Sequence, residues 1–134
     1  MSDESNKLIV LTPGEGRSYS MGDALSVVFK ADGAETYDRY SISEWWLEPY
    51  AEGPGAHVYD DEECIFHILE GTASLLVGEE WFDAPQGPDV CSPVGVPRDF
   101  ANRTGQRMGL LNVTVLGRLQ VQVAGISKWL RENP

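Results

Sequence analysis

The amino-acid sequence predicts an all-β fold, a small barrel or sandwich, with one short helix at the end of the chain. Short apolar stretches recur along the chain, and Gly- and Pro-containing segments separate them, which is typical of many short strands joined by turns. Strict alternation of apolar and polar residues in the last two stretches predicts strands with one buried and one wet face. The 134 residues fit one domain whose core is large enough to need no disulfide bonds.

The composition excludes several classes of partner. With 10 Lys and Arg against 21 Asp and Glu the chain carries a net charge of −11, whereas nucleic acids and anionic lipids attract basic surfaces. The start of the chain is polar and acidic, unlike a secretory signal, and no apolar run approaches the ~20 residues that span a bilayer. Cys64 and Cys91 are too few for a disulfide framework. We therefore expect a cytoplasmic protein that binds neither nucleic acid nor membrane.

The elements follow from the apolar pattern and from the turns between stretches. We expect strands at Leu8–Leu11, Leu25–Lys30, Tyr40–Leu47, Ile65–Leu69, Ala73–Val77, Trp81–Asp83, Val90–Ser92, Leu111–Val115 and Leu119–Val123. Near the end, Ile126, Trp129 and Leu130 recur at i, i+3 and i+4, which predicts an amphipathic helix. The expected organisation is a mobile segment 1–7, one barrel domain 8–123 and a helix 124–134 packed on the barrel.

A set of spaced residues in the second half of the chain resembles a motif of the cupin family. The family pattern is Gly-x5-Pro-x-Gly-x2-His-x3-Asn, and the chain matches all of it except the His, which is an Arg: Gly87, Pro93, Gly95, Arg98 and Asn102. Together with a first motif upstream, the resemblance covers roughly residues 40 to 116. It implies a jelly-roll barrel and, as is common in the family, a homodimer formed through the sheets.

The first motif keeps fewer of the family's residues. In cupins His-x-His and a following Glu bind a metal inside the barrel, and here His57 is present but Tyr59 replaces the second His. The Glu position falls on Glu63 when counted from Tyr59, and on Cys64 when counted back from Gly71. We adopt the second count, because a strand and its turn fix register more firmly than an acidic loop does.

This register predicts which side chains of the strand enter the barrel. It points Cys64, Phe66 and Ile68 inward and Ile65, His67 and Leu69 outward, whereas the opposite register would place Glu63 and His67 inside together.

Arg98 argues against the metal that the resemblance would otherwise imply. A guanidinium has no lone pair to donate, and its fixed positive charge lies where the ion's charge would be. We therefore expect no metal cofactor. The alternative is a divalent transition metal such as Zn, Fe, Mn or Ni. For zinc, the opposite register would supply His57, Glu63 and His67, with or without Cys64.

Without a metal, the same residues predict acid–base chemistry on a small oxygen-rich or anionic molecule. Arg98 is a bidentate donor for a carboxylate, phosphate or enolate oxygen. His57 can move a proton near neutral pH, and Tyr59 can donate one, so these three residues form the candidate catalytic set. The expected ligand contacts are Trp46, Cys64, Phe66 and Arg98. Metal-free relatives in the wider family, such as sugar epimerases and polyketide cyclases, imply isomerisation, epimerisation or ring closure.

Two other interpretations stay open at the level of sequence. Arg98 can instead pair with an inward carboxylate such as Glu44, which would leave a filled barrel in a non-catalytic binding or assembly protein. The protein can also be a metal-dependent enzyme of the quercetin-dioxygenase-like group, if an ion binds despite Arg98. Cys64 can also be a structural residue that packs as a small buried hydrophobic side chain.

Overall fold

The computed structural model describes residues 8–12, 14–36, 39–55 and 62–115, together with Lys128 and Glu132. The described elements are β1 (Arg17–Ser20), β2 (Leu25–Ala31), α1 (Gly33–Thr36), β3 (Ser41–Leu47), β4 (Glu63–Glu70), β5 (Thr72–Val77), β6 (Glu80–Pro85), β7 (Asp89–Ser92), β8 (Arg98–Ala101) and β9 (Met108–Val115). The all-β prediction is confirmed. No helix in this part of the chain is long and apolar enough to cross a membrane.

The strands form two antiparallel sheets. One has six strands in the order β1-β2-β3-β9-β4-β7, and the other has three in the order β6-β5-β8. Strand β9, the last described strand, lies between β3 and β4, so both of its edges are already paired. This crossover brings the end of the chain back into the middle of the larger sheet.

The core lies between the sheets and is centred on three aromatic rings. Phe100 of β8 meets Trp45 of β3 and Phe66 of β4 edge to face, with ring centroids 5.2 and 5.9 Å apart. Below these rings, at the β4–β5 turn end of the barrel, the inner face of the larger sheet carries only apolar side chains in register: Val27, Trp45, Leu110 and Ile68, then Leu25, Leu47 and Met108. Their burial supplies the main stabilisation of the fold.

The predicted register of β4 is confirmed. Cys64, Phe66 and Ile68 are buried, whereas the alternate residues of the strand are exposed or half-buried. The turn at Gly71 fixes this register: its φ of 71° favours glycine, and an added Cβ would lie 2.6 Å from the carbonyl oxygen of Arg107. A larger residue at position 71 would therefore shift the turn on which the register depends.

The prediction of a strand at Leu8–Leu11 is wrong, because this segment pairs with no strand of the described chain. We call residues 8–12 and 14–16 the N-terminal strap. Its backbone is held by side chains of the larger sheet instead: Lys30 Nζ donates to the carbonyl oxygens of Thr12 and Glu15 at 2.6 and 2.8 Å. Strands β1 and β8 lie where no strand was predicted. Each has only four residues, and their polar or mixed character shows no clear apolar–polar alternation.

The buried and exposed faces of strand β9 are the reverse of those predicted. The alternation of Leu111–Val115 suggested that the apolar set is buried, but Asn112 and Thr114 face the interior while Val115 is exposed. Alternation shows that the two faces of a strand differ, not which one faces the core. At this end of the barrel the interior is polar and the outside is apolar.

Two predicted elements at the end of the chain lie outside the described residues. These are the strand Leu119–Val123 and the helix 124–134, of which only Lys128 and Glu132 are described, both helical and exposed. The helix therefore stays a prediction.

Candidate functional site

A row of small polar side chains crosses the inner face of the larger sheet at one end of the barrel. Ser92 of β7 lies opposite Cys64 of β4, which lies opposite Thr114 of β9, which in turn lies opposite Ser41 of β3. All four are buried. We call them the polar row. It lies beyond the aromatic rings of the core, where β4 begins and β9 ends.

Three buried polar atoms in and beside this row have no hydrogen-bond partner among the described residues. They are Oγ of Ser41, Oγ of Ser92 and Oδ1 of Asn112, whose residue lies one inward-facing position from Thr114 on β9. Nearly all buried polar groups in proteins are hydrogen-bonded, to protein or to ordered water. Three such atoms in two neighbouring rows are typical of a site that receives a ligand or water molecules.

Arg98, the first residue of β8, brings a positive charge to the same end of the barrel. Only 1% of its side chain is exposed, and its Nη1 donates to the carbonyl oxygen of Glu62 at 3.0 Å. Its Nη2 lies 3.7 Å from Oε2 of the buried Glu62 carboxylate. The guanidinium is therefore held inside the barrel by a residue at the start of β4, next to Cys64.

The alternative interpretation paired Arg98 with an inward carboxylate such as Glu44; the buried carboxylate beside Arg98 is that of Glu62, whereas Glu44 lies on the opposite face of the larger sheet. Its Oε1 accepts from the backbone N–H of Gly14 at 3.3 Å, and its Oε2 lies 3.6 Å from Lys30 Nζ. The carboxylate thus holds the N-terminal strap. Glu44 shares the outward face of β3 with Trp46, as strand alternation requires.

Cys64 is the one sulfur-bearing member of the polar row. Burial raises the pKa of its thiol above the ordinary value of 9.0, although the neighbouring Arg98 charge and a contact with the Thr114 hydroxyl at 3.8 Å oppose the shift. The thiol therefore stays protonated at neutral pH. A protonated thiol is a weak nucleophile, which agrees with a packing role for Cys64.

The other predicted ligand contacts divide between the two faces of the sheet. Phe66 lies in the interior, directly below Cys64 on β4. Trp46, by contrast, lies on the outer face, where its ring packs over Gly109 and the Arg107 guanidinium is 4.3 Å from the ring centroid. The neighbouring Trp45 is the tryptophan that lines the interior. Trp46 therefore does not face the barrel interior.

The predicted catalytic residues His57 and Tyr59 lie outside the described residues. The chain re-enters the described part at Glu62, beside the polar row.

The described donors do not fit a metal ion. Glu63 is exposed and His67 faces outward on β4, where its Nδ1 lies 2.6 Å from Oδ1 of Asp89, so neither shares a face with Cys64. Within the described residues, no group of three or more His, Cys, Asp or Glu side chains is arranged to hold a metal. Inside the barrel, Arg98 offers no lone pair, and the strand neighbours of Cys64 are the hydroxyl-bearing Ser92 and Thr114. Glu63 and His67 thus do not enter the barrel with Cys64, as the opposite register would require, whereas His57 of the alternative zinc set lies outside the described residues.

Asn102, the last residue of the second motif, has a structural role. Its Nδ2 donates to the carbonyl oxygens of Leu47, Glu48 and Gln106 at 3.2, 3.0 and 2.6 Å, and its Oδ1 accepts from the backbone N–H of Thr104 at 3.1 Å. This side chain ties three chain segments together just after β8. It thereby fixes the position of the strand that carries Arg98.

Sequence reasoning missed most of the polar end of the barrel. The missed residues are Ser41, Glu62, Ser92, Asn112 and Thr114. The polar positions of β9 were visible in its alternation, but only the strand pairing shows that they share a row with Cys64. Glu62 lies within the acidic run 60–63, where charge patterning predicts solvation rather than burial.

The fold is similar to several solved structures. A RmlC-like cupin from Shewanella frigidimarina superposes with a TM-score of 0.68 at 14% identity, covering 83% of this chain and 94% of that one. The polyketide cyclase RemF from Streptomyces resistomycificus gives 0.63 at 18% identity, covering 82% and 80%. A sugar phosphate isomerase of the cupin superfamily from Silicibacter pomeroyi gives 0.66 at 19% identity, covering 79% and 74%. No protein-family model matches the chain, and no curated protein matches its sequence.

These similarities extend over most of the chain and of each compared structure, and they agree with the observed topology of two antiparallel sheets. Arg98 and Asn102, the predicted second-motif positions, lie at the two ends of β8: Arg98 begins the strand at the polar end of the barrel, and Asn102 follows it at the end that holds Leu47. The chain has the cupin jelly-roll fold.

Proposed function

We propose that the protein binds a small oxygen-rich or anionic molecule at the polar row, without a metal ion. The observation that carries the proposal is the group of buried partnerless atoms on Ser41, Ser92 and Asn112 within the described residues, close to the buried Arg98 guanidinium. None of these atoms makes a hydrogen bond to the described part of the chain, and a buried polar group without a partner costs free energy that a bound molecule would recover.

The atoms themselves restrict the chemistry of the molecule. Oδ1 of Asn112 only accepts hydrogen bonds, the two serine hydroxyls donate or accept, and Arg98 only donates. A complementary ligand therefore carries both hydroxyl groups and acceptor oxygens, as sugars, hydroxy acids and their phosphates do. In a water-poor interior the Arg98 charge also favours a negatively charged oxygen more strongly than it would in solvent.

An acid–base reaction extends this proposal to the segment before Glu62. His57 would move a proton on the bound molecule, Tyr59 would donate one, and Arg98 would stabilise the negative oxygen that forms. The polyketide cyclase and the sugar phosphate isomerase among the similar structures are compatible with such chemistry in this fold, which is analogy rather than identity of site.

One observation favours a second candidate, a barrel filled by its own side chains in a non-catalytic binding protein. Arg98 is almost fully buried and already faces the Glu62 carboxylate, as expected of an internal ion pair. The two candidates differ in the role of the serine hydroxyls that have no described partner. A ligand-binding barrel uses them to bind the molecule, whereas a filled barrel does not use them.

Thermal unfolding with defined probes separates them. We expect glucose 6-phosphate to raise the melting temperature more than glucose or inorganic phosphate alone, since it combines hydroxyls with an anionic group; a probe at 100 times its Kd stabilises by about 2.7 kcal/mol. Ser92→Ala removes a buried hydroxyl without a described partner, so it should keep or raise the melting temperature without probe and reduce the shift with probe.

Ser18→Ala on exposed β1 is the matched control and should change neither measurement. A clear loss of stability in Ser92→Ala without probe, together with no probe-induced shift in the unmodified protein, would favour the filled barrel. Elemental analysis of protein purified without a tag or chelator checks the metal: a stoichiometric transition metal would contradict the metal-free proposal.

A further inference from the structure

The outer face of the larger sheet carries an apolar patch. Ile42 of β3, Val113 of β9 and Ile65 of β4 lie opposite one another in register, and Val115 follows on β9. We call these four the outer patch. Ile65 and Val115 are 38% and 41% exposed, and the other two are half-buried. Contiguous exposed apolar side chains on a sheet face mark a surface that another segment or molecule covers.

Strand β9 ends at this patch, with Val115. Strand β9 is paired on both edges, so the residues after Val115 cannot continue as a neighbouring strand of β9. Nineteen residues follow, 116–134, and Gly117 provides a place for the chain to reverse. The outer patch includes Val115 itself, so it is an apolar surface directly at the start of this segment.

The length of the segment suits that surface. A helix over 124–134 would be about 16 Å long at 1.5 Å per residue. The outward positions of β9 from Leu111 to Val115 extend about 14 Å at 3.4 Å per residue. The helical stripe of Ile126, Trp129 and Leu130 provides an apolar face of matching extent. Lys128 and Glu132, which lie off that stripe, are both exposed.

Charge also favours this pairing. Residues 116–134 contain Arg118, Lys128 and Arg131 but one acidic residue, Glu132, so the segment is basic in a chain of net charge −11. The outer patch is bordered by acidic side chains: Glu63 lies opposite Val115, and Asp89 lies next to His67 on the same face. A second copy of this chain would instead bring two acidic surfaces together, which is unfavourable.

We propose that residues 116–134 fold back over the outer patch of their own chain, with Ile126, Trp129 and Leu130 packed on Ile65, Val113 and Val115. The segment thereby completes the outer side of the sheet whose inner side carries the polar row. A second copy of the chain is the competing occupant of the same patch.

A native cysteine makes the proposal testable by cross-linking. Cys91 is exposed on β7 and lies directly opposite Ile65, at the margin of the outer patch. Ser127→Cys and Glu132→Cys place a thiol on either side of the predicted apolar stripe. After mild oxidation of each full-length variant, non-reducing electrophoresis and peptide mass spectrometry distinguish disulfides within one chain from those between chains.

We expect a disulfide to Cys91 within one chain in at least one variant, and its loss when Cys91→Ser is added. Glu79→Cys, on the β5–β6 turn of the other sheet, is the control that should give none. Disulfides between chains would assign the outer patch to a second copy and overturn the proposal. Absence of any disulfide to Cys91 in both variants would also overturn it.

A second measurement does not depend on new cysteines. Trp129→Ala should lower the melting temperature, and Ile65→Ala should lower it less when Trp129 is already removed, because contacting residues are not additive. Val94→Ala, at an exposed apolar residue of the β7–β8 loop, should add to Trp129→Ala without coupling. Equal effects of Ile65→Ala in both backgrounds would show that the two side chains do not touch.

Discussion

At the scale of single residues, the barrel places a charged pair where the family resemblance would place a metal. Arg98 and Glu62 are both almost fully buried, with Nη2 and Oε2 3.7 Å apart. Removing two charges from water is costly, and their attraction offsets that cost only while both are present. Removing either residue alone is therefore expected to destabilise the barrel more than removing both.

This dependence predicts a marked non-additivity. Arg98→Met alone should lower the free energy of unfolding by about 3–5 kcal/mol, because it leaves a buried carboxylate without its cation. Glu62→Gln added to Arg98→Met should recover part of the loss, since no buried charge remains. Chemical denaturation of the single and double variants measures both values.

The matched control is Arg103→Met, which removes an exposed guanidinium 4.2 Å from the Trp81 ring centroid and should cost no more than about 1 kcal/mol. If the double variant were less stable than Arg98→Met, Glu62 would stabilise the barrel independently of Arg98.

At the scale of elements, short segments are held by side chains rather than by long backbone ladders. Helix α1 has four residues, and Asp32 and Glu35 cap it reciprocally: the backbone N–H of Glu35 donates to Asp32 Oδ1 at 3.1 Å, and that of Asp32 to Glu35 Oε1 at 3.2 Å. Arg17 of β1 hydrogen-bonds Glu35 and lies 2.6 Å from Asp32 Oδ2. One arginine thus connects the edge strand to the capped turn.

The capped turn predicts a pH dependence. Burial alone would raise the pKa of Glu35, but the hydrogen bonds from Arg17 and from the Asp32 backbone outweigh it and hold the pKa below its ordinary value of 4.5. A carboxyl group whose pKa is lower in the folded than in the unfolded state stabilises the protein at pH values above its unfolded-state pKa. This contribution is lost as the pH falls through the folded-state pKa. Glu35→Gln should therefore lower the melting temperature at neutral pH.

The difference between the unmodified protein and Glu35→Gln should shrink as the pH is lowered below 4.5. Glu79→Gln, in an exposed turn, should show no such difference at neutral pH. A gap between the melting temperatures of the protein and Glu35→Gln that stays constant down to acid pH would contradict a role for the Glu35 charge.

At the scale of the whole molecule, the sequence predicts the class and register well and the polarity of the interior poorly. The turn at Gly71 sets the inward side of β4, so Cys64 and Phe66 were placed correctly. Glu44 and Trp46 were expected to face the barrel interior but lie on the outer face of β3, because alternation along one strand does not show which of its faces is buried. The polar row depends on which strands are neighbours, and that information is not local in sequence.

The net charge of the chain gives a prediction at this scale. With a net charge of −11, repulsion among carboxylates opposes the compact state, so screening should stabilise it. Raising NaCl from about 0.01 M to about 0.15 M shortens the Debye length from about 30 Å to about 8 Å. We expect the melting temperature to rise by a few degrees.

Sodium sulfate acts on burial as well as on charge, so the comparison should use NaCl alone. A fall in melting temperature with NaCl would mean that ion pairs such as that between Arg17 and Asp32 outweigh the general repulsion.

The division of the interior into an apolar end and a polar end affects how this protein can change over evolution. Substitutions among Leu47, Ile68, Met108 and Leu110 would disturb the packing that maintains the barrel. Exchanges at Ser41 or Ser92 would remove a hydroxyl that makes no hydrogen bond to the described part of the chain, and so cost little stability. If the polar end binds a ligand as proposed, new ligand preferences can therefore arise there by single substitutions that leave the fold stable.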